Sequence, residues 1–174
     1  MYAAVSSSTL HGVFGAAITV EVHIGHGLPG FSVVGQPDEA CRESRDRVRA
    51  ALLSSGYEWP NRRITVNLSG DGEKKGGATA DLAIAMGVLV AGEKMPPTAV
   101  EKLAFIGELG LDGSLRATVG LAPLAHAARA DRVVVPMSSL AEARLAIGNR
   151  AIGAGTLREV CAALAGDEPW PDEC

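Results

Sequence analysis

The stretch GDGEKKGGATADLAIAMG (residues 70–87) joins a glycine-rich loop with two lysines to a nearly unbroken apolar segment. Its second half continues as a helix over residues 80–91 that is apolar on almost every side. Such a helix has no face to offer water, so it belongs at the centre of the fold with other elements covering it all round. Its first half admits three uses: a loop that cradles phosphates, a loop that presents a hydrolase nucleophile, or a structural turn.

The segments around it supply strands and further helices. In ITVEVHI, Ile18, Val20, Val22 and Ile24 share one face and Thr19, Glu21 and His23 the other, the period of a strand with one buried face. Residues 2–10 are a second strand, FSVVG (31–35) a third after the GLPG turn, and RITVNL (63–68) a fourth. Between them a helix opens at Pro37-Asp38-Glu39, with acidic residues at its positive dipole end, and stops at Gly56. Cys41, Ser44, Val48, Leu52 and Ser55 form its inner face, and Arg42, Arg45 and Arg49 fall together beside it. Downstream, residues 102–107 and 113–117 are expected to pair as a hairpin around Asp112-Gly113. Then come an Ala-rich helix (120–130), the buried strand RVVVP, a helix (138–147), a short strand (150–152) and a helix over 156–165 capped by Thr156 and Glu159. The tail GDEPWPDEC has no periodicity and reads as the start of a linker. The expectation is an α+β fold, a mixed sheet packed with helices, over residues 1–166, with 167–174 as tail.

Apolar residues make up 47% of the 174-residue chain, enough to bury a real core, and aromatics only 4%, so Val, Leu, Ile and Ala must build it. The net charge of −4 gives no overall basic excess for nucleic acid. Cys41, Cys161 and Cys174 are odd in number and far apart, which suits a reducing compartment and not a disulfide framework. The first residues lack the charged and apolar regions of a secretory signal. The longest apolar run, 82–91, is far short of the roughly 20 residues that span a bilayer. A soluble, cytoplasmic protein with no membrane partner is expected.

The loop fails as a nucleotide site. Gly72 and Gly77 have the P-loop spacing, but Ala78 stands where the phosphate-binding lysine belongs. As a nucleophile loop it offers Thr79, the hydroxyl at the helix entrance, whose plainer role is the helix N-cap, with Asp81 in the first turn. His23 and His26 form an HxxH pair without an evident third ligand, so no metal site is expected. Asp112 is a turn residue and Glu108 receives no catalytic role. Between residues 42 and 75 the chain carries eight positive charges against five negative ones. They form either a solvated face with pairs such as Arg42–Asp46, or a contact surface for DNA or another subunit using Arg42, Arg45, Arg49, Arg62, Arg63, Lys74 and Lys75.

Three blocks, HGLPGFSVVGQPDEACRESRDRVRAAL (26–52), RRITVNLS (62–69) and FIGELGLDGSLRATVG (105–120), resemble the N-terminal domain of the Mg-chelatase-like, ComM/YifB family of bacterial AAA+ ATPases. The resemblance spans essentially residues 1–166. It implies a fold like the Lon protease catalytic domain, in the ribosomal protein S5 domain 2-like class. Lon-type peptidases use a serine in this loop and a lysine on the helix after the following hairpin. Those positions fall on Thr79 and Ala122, and alanine accepts no proton. The loop also lacks the family's commoner Pro-Ala-Asp-like start and its Gly-Ser before the helix. The resemblance therefore implies a non-catalytic accessory domain, without a cofactor of its own. It would be joined through the tail to an ATPase module that uses ATP and Mg2+ and acts as a hexameric, DNA-processing branch-migration motor. A degenerate Ser/Thr–Lys peptidase and a metal-chelatase-related subunit are the alternatives.

Overall fold

A computed structural model of the chain describes residues 1–70 and 77–173. Two long strands, β1 (Tyr2–His11) and β2 (Phe14–Gly25), form a hairpin paired along its whole length, from Tyr2 opposite His23 to His11 opposite Phe14. The chain then runs through β3 (Gly30–Val34), the helices α1 (Glu39–Arg42) and α2 (Ser44–Ser54), and β4 (Arg63–Gly70). The central helix α3 (Asp81–Ala91) follows, then β5 (Leu103–Phe105) and a small hairpin of β6 (Glu108–Leu109) and β7 (Leu115–Arg116). The remainder is α4 (Leu121–Ala127), β8 (Arg132–Pro136), α5 (Leu140–Ile147), β9 (Ala151–Ala154) and α6 (Leu157–Ala165).

Seven strands make one mixed sheet in the order β3-β4-β2-β1-β5-β8-β9. The hairpin and the β2–β4 pair are antiparallel, and the other neighbours are parallel. This is the α+β architecture expected. The two halves of the sheet differ, and the residues show why. β8 from Val133 to Pro136 and the whole of β9 are buried, VVVP and AIGA, because helices lie on both of their faces. Parallel strands covered on both sides need such continuous apolar runs. In β2 and β4 only Ile18, Val20, Val22, Ile24, Ile64, Val66 and Leu68 are buried, and they share the face under α3. Thr19, Glu21, His23, Thr65 and Asn67 lie on the opposite face with Tyr2 of β1, where Tyr2 Oη and Asn67 Nδ2 donate to Glu21 at 2.7 and 2.9 Å.

Every residue of α3 is buried, as its composition demands. It presses tightly against the sheet at Gly87, where a Cβ would lie 2.5 Å from Val22 Cγ2. On the other side of the sheet, Leu121, Leu124 and Ala125 of α4 and Leu140 and Ala143 of α5 pack with Ala104, Ile106, Val133 and Val135.

Three elements differ from the sequence reading. The helix expected from Pro37 to Ser55 is broken at Glu43, which caps α1 and opens α2. Residues 102–107 do not form the first arm of the hairpin. β5 enters the main sheet between β1 and β8, and the arm is β6, with Glu108 opposite Arg116. The tail is ordered against the domain through Glu173. Trp170 packs on the core, Asp172 takes a 2.9 Å bond from Arg144, and Glu173 one of 3.1 Å from Arg132. Strand β7 also bonds to the start of α6, with Leu115 N–H on Gly155 O and Leu157 N–H on Gly113 O, so the small hairpin is tied to the main body.

Candidate functional site

The chain's one fully buried carboxylate among the described residues is Asp81, at the first position of α3. A lone charge entering an apolar helix must bring its own partners inside. They come from α2 and the small hairpin. Arg47 approaches fork-on, Nε to Oδ2 at 2.7 Å and Nη2 to Oδ1 at 3.1 Å. Ser44 Oγ donates to Oδ1 at 2.7 Å, and the Leu109 N–H donates to Oδ2 at 3.1 Å. Arg47 also donates to Ala40 O at 2.6 Å and lies 3.7 Å from Glu43, so it is held at both ends. Burial pushes the Asp81 carboxyl up, against the pull of these donors, while its bond to Asp81 drives the Arg47 guanidinium further up and keeps it charged. The group locks α2, α3 and β6 together.

Beside this lock is a cavity of about 480 Å3, lined by Asp38, Gly77, Thr79, Glu108 and Thr118 among others. Asp38 spans its edge. Its Oδ1 accepts the Cys41 N–H at 2.8 Å as the N-cap of α1, and its Oδ2 accepts the Gly77 N–H at 2.7 Å. Thr118 Oγ1 is buried with no hydrogen-bond partner among the described residues. The charged groups lining the cavity among the described residues are carboxylates, Asp38 and Glu108, with no amine or imidazole beside them.

Thr79 reaches this cavity, but not as the N-cap of α3. Residues Ala78–Ala80 form a 3-10 turn, the cap position is Ala80, and the Thr79 carbonyl accepts the Gly107 N–H at 3.0 Å. The turn shifts the helix start by one residue, because the loop is tied down by Gly107 after β5 and by Asp38. Asp81 does stand in the first turn of α3, as expected, but it is wholly buried there. Ala122 sits on α4, its N–H donating to Glu142 of α5 at 3.2 Å, and does not line the cavity.

Arg42, Arg45 and Arg49 are exposed and make no hydrogen bond or ion pair among the described residues; the expected Arg42–Asp46 pair is absent and the i,i+4 pair formed is Glu43–Arg47. Arg62 and Arg63 are exposed too, but they precede or open β4, at the end of the sheet opposite to the one where β3 leads into α1. Arg63 lies over β3, 3.4 Å from Ser32 Oγ. Lys74 and Lys75 lie outside the described residues. His23 and His26 are both exposed, and the described residues contain no cluster of three or more potential metal ligands. No helix among them is long and apolar enough to cross a membrane.

Arg47 and Asp81 were each visible as charges but not as a pair. The available signal was the charge inside an otherwise apolar helix, together with Ser44 and Arg47 three residues apart on an inward-turning helix face.

Comparison with known proteins places this geometry in a family. The family described as "Subunit ChlI of Mg-chelatase" matches residues 20–139. YifB of Salmonella typhimurium is 41% identical over 157 residues, covering 89% of the chain and 31% of that protein. The competence protein ComM of Haemophilus influenzae is 36% identical over 171 residues, 97% of the chain and 34% of ComM. An uncharacterized protein of Mycobacterium tuberculosis (strain ATCC 25618 / H37Rv) is 41% identical over 163 residues, 92% of the chain and 32% of its own length. The chain thus spans about a third of the curated relatives it matches.

Proposed function

The chain belongs to the Mg-chelatase ChlI-subunit family, in its ComM/YifB-like branch, and we propose that it serves there as a non-catalytic domain of an ATP-driven DNA-processing motor. One observation carries the non-catalytic reading. Among the described residues the charged groups lining the cavity at Thr79 are carboxylates, where a peptidase needs a proton-accepting amine, and the position that the resemblance assigns to that amine is Ala122 on α4. A hydroxyl faced by fixed negative charge is harder to ionise, so the site opposes the chemistry its ancestry suggests. ATP and Mg2+ belong to the remaining two thirds of such a protein, since this sequence has no GxxxxGK[ST] loop.

The role left to the domain is contact. The exposed guanidinium groups of Arg42, Arg45 and Arg49, without an ion pair among the described residues, follow one another at helical spacing on solvent-facing turns, a surface suited to DNA phosphates or to an acidic face of a neighbouring copy in a ring. The test combines two measurements on the 174-residue chain. Incubation with a fluorogenic casein substrate should give no turnover in either wild type or Thr79→Ala; turnover that disappears in Thr79→Ala would establish a peptidase instead. Fluorescence anisotropy with labelled DNA should show binding that weakens with salt and falls in an Arg42→Ala/Arg45→Ala/Arg49→Ala variant. Loss of self-association in that variant, with DNA binding absent throughout, would assign the surface to ring assembly.

A further inference from the structure

A second groove, larger than the Thr79 cavity, lies where the sheet meets α4. β4 pairs with β2 as far as Gly70, opposite Ile18, and β2 runs on through Ala17 to Phe14. Helix α4 runs close beneath this part of β2. A Cβ on Gly15 would strike the Pro123 carbonyl and lie 2.8 Å from Ala127 Cβ, so glycine is what lets the helix press against the strand there. The result is a groove of about 680 Å3 with a rigid floor.

Its chemistry is one-sided. The ionisable side chains lining it among the described residues are Arg129 and His126; no carboxylate is among them. Arg129 and His126 are exposed and make no ion pair or hydrogen bond among the described residues. Ser6, Thr19 and Ser69 add hydroxyls along the sheet side. At the rim is Phe14, 74% exposed, next to Val13 at 78%; a chain with three phenylalanines leaves this ring in water at the hairpin tip. The chain's net charge is −4, so a groove whose described lining holds an arginine, a histidine and hydroxyls but no carboxylate is a local departure from that balance.

A cationic groove with hydroxyls and an exposed aromatic ring at its edge fits a ligand alternating phosphate with planar base. We propose that the β2–α4 groove binds a single strand of nucleic acid, Arg129 and His126 meeting the phosphodiester backbone and Phe14 stacking on a base. This rests on the DNA-contact reading above and names a site for it distinct from the helix arginines. Duplex is the poorer occupant, because its bases are already stacked and offer no free face to Phe14.

The experiment is anisotropy titration of the 174-residue chain with a fluorescein-labelled oligothymidylate of about 12 nucleotides, within the site sizes usual for such grooves. Phe14→Ala should weaken binding about fivefold or more. Arg129→Gln should weaken it and lower the slope of log affinity against log salt by about 0.7, the loss of one single-strand phosphate contact. Both side chains are exposed, so unchanged thermal unfolding of the variants checks that the fold persists. If Phe14→Ala and Arg129→Gln bind like wild type while the Arg42/Arg45/Arg49 variant does not, the groove is overturned and the DNA-contact reading stands. If the chain binds no strand at all, both fall. If thymidine monophosphate competes as well as the oligomer, the groove is a mononucleotide site and the strand proposal is overturned.

Discussion

Replacing Arg47 by methionine should be the most damaging single change at the surface of α2. The carboxylate of Asp81 is wholly buried and receives four hydrogen bonds, two of them from Arg47. In Arg47→Met the methionine fills much of the aliphatic space, but only Ser44 Oγ and the Leu109 N–H remain to hold the charge. Removing one partner of a buried pair costs about 3–5 kcal/mol, a large share of the ~5–15 kcal/mol available to a domain. At about 2–4 °C per kcal/mol for a chain of this size, the midpoint of thermal unfolding should drop by about 6–20 °C. The orphaned carboxylate escapes by taking a proton. Its folded pKa, already raised by burial, then rises further, so the deficit should be small below about pH 4 and grow as pH rises towards the variant's higher pKa. Arg47→Met/Asp81→Leu removes both charges and leaves Ser44 and the Leu109 N–H short of one acceptor, a cost of about 1–3 kcal/mol, so the double variant should be more stable than the single one. Urea unfolding followed by circular dichroism measures all three. A loss below about 1 kcal/mol in Arg47→Met, or a double variant no better than the single, would refute the reasoning that a buried, paired charge locks α2 to α3.

Stability should also fall in alkali. Burial pushes the thiols of Cys41 and Cys161 up to about 11 from 9.0 and the Tyr57 phenol up to about 12 from 10.0. A group whose folded pKa is raised contributes fully below its unfolded pKa and loses that contribution as pH rises through the folded one, so the decline should begin near pH 9. Each cysteine should account for about 2 kcal/mol of it by about pH 10.5, and urea midpoints for Cys41→Ala should fall less steeply with pH than those of wild type. Gly87→Ala improves helix propensity by about 1 kcal/mol, yet its methyl would lie 2.5 Å from Val22 Cγ2, and Val22 is fully buried and branched. A net destabilisation of about 1–2 kcal/mol is expected in the same unfolding assay, and a stabilised variant would show that α3 can lift from the sheet.

Much of this architecture was legible in one dimension. The alternation of ITVEVHI determined a strand with one wet face, the unbroken apolarity of residues 82–91 a helix with none, and VVV in β8 a strand covered on both sides, because solvent contact is decided residue by residue along a regular element. The lack of a P-loop lysine and of a proton acceptor at residue 122 needed no coordinates either. Tertiary structure alone decided how distant segments meet. Residues 103–105 joined the main sheet through pairing with β1, almost a hundred positions away, and left the hairpin to Glu108–Leu109. Arg47 found Asp81 across 34 positions, Thr79 lost its capping role to a 3-10 turn, and Phe14 and Arg129 came to line one groove because α4 packs against β2. Local periodicity records burial, whereas partnership depends on crossings and strand ends that no short window of sequence contains.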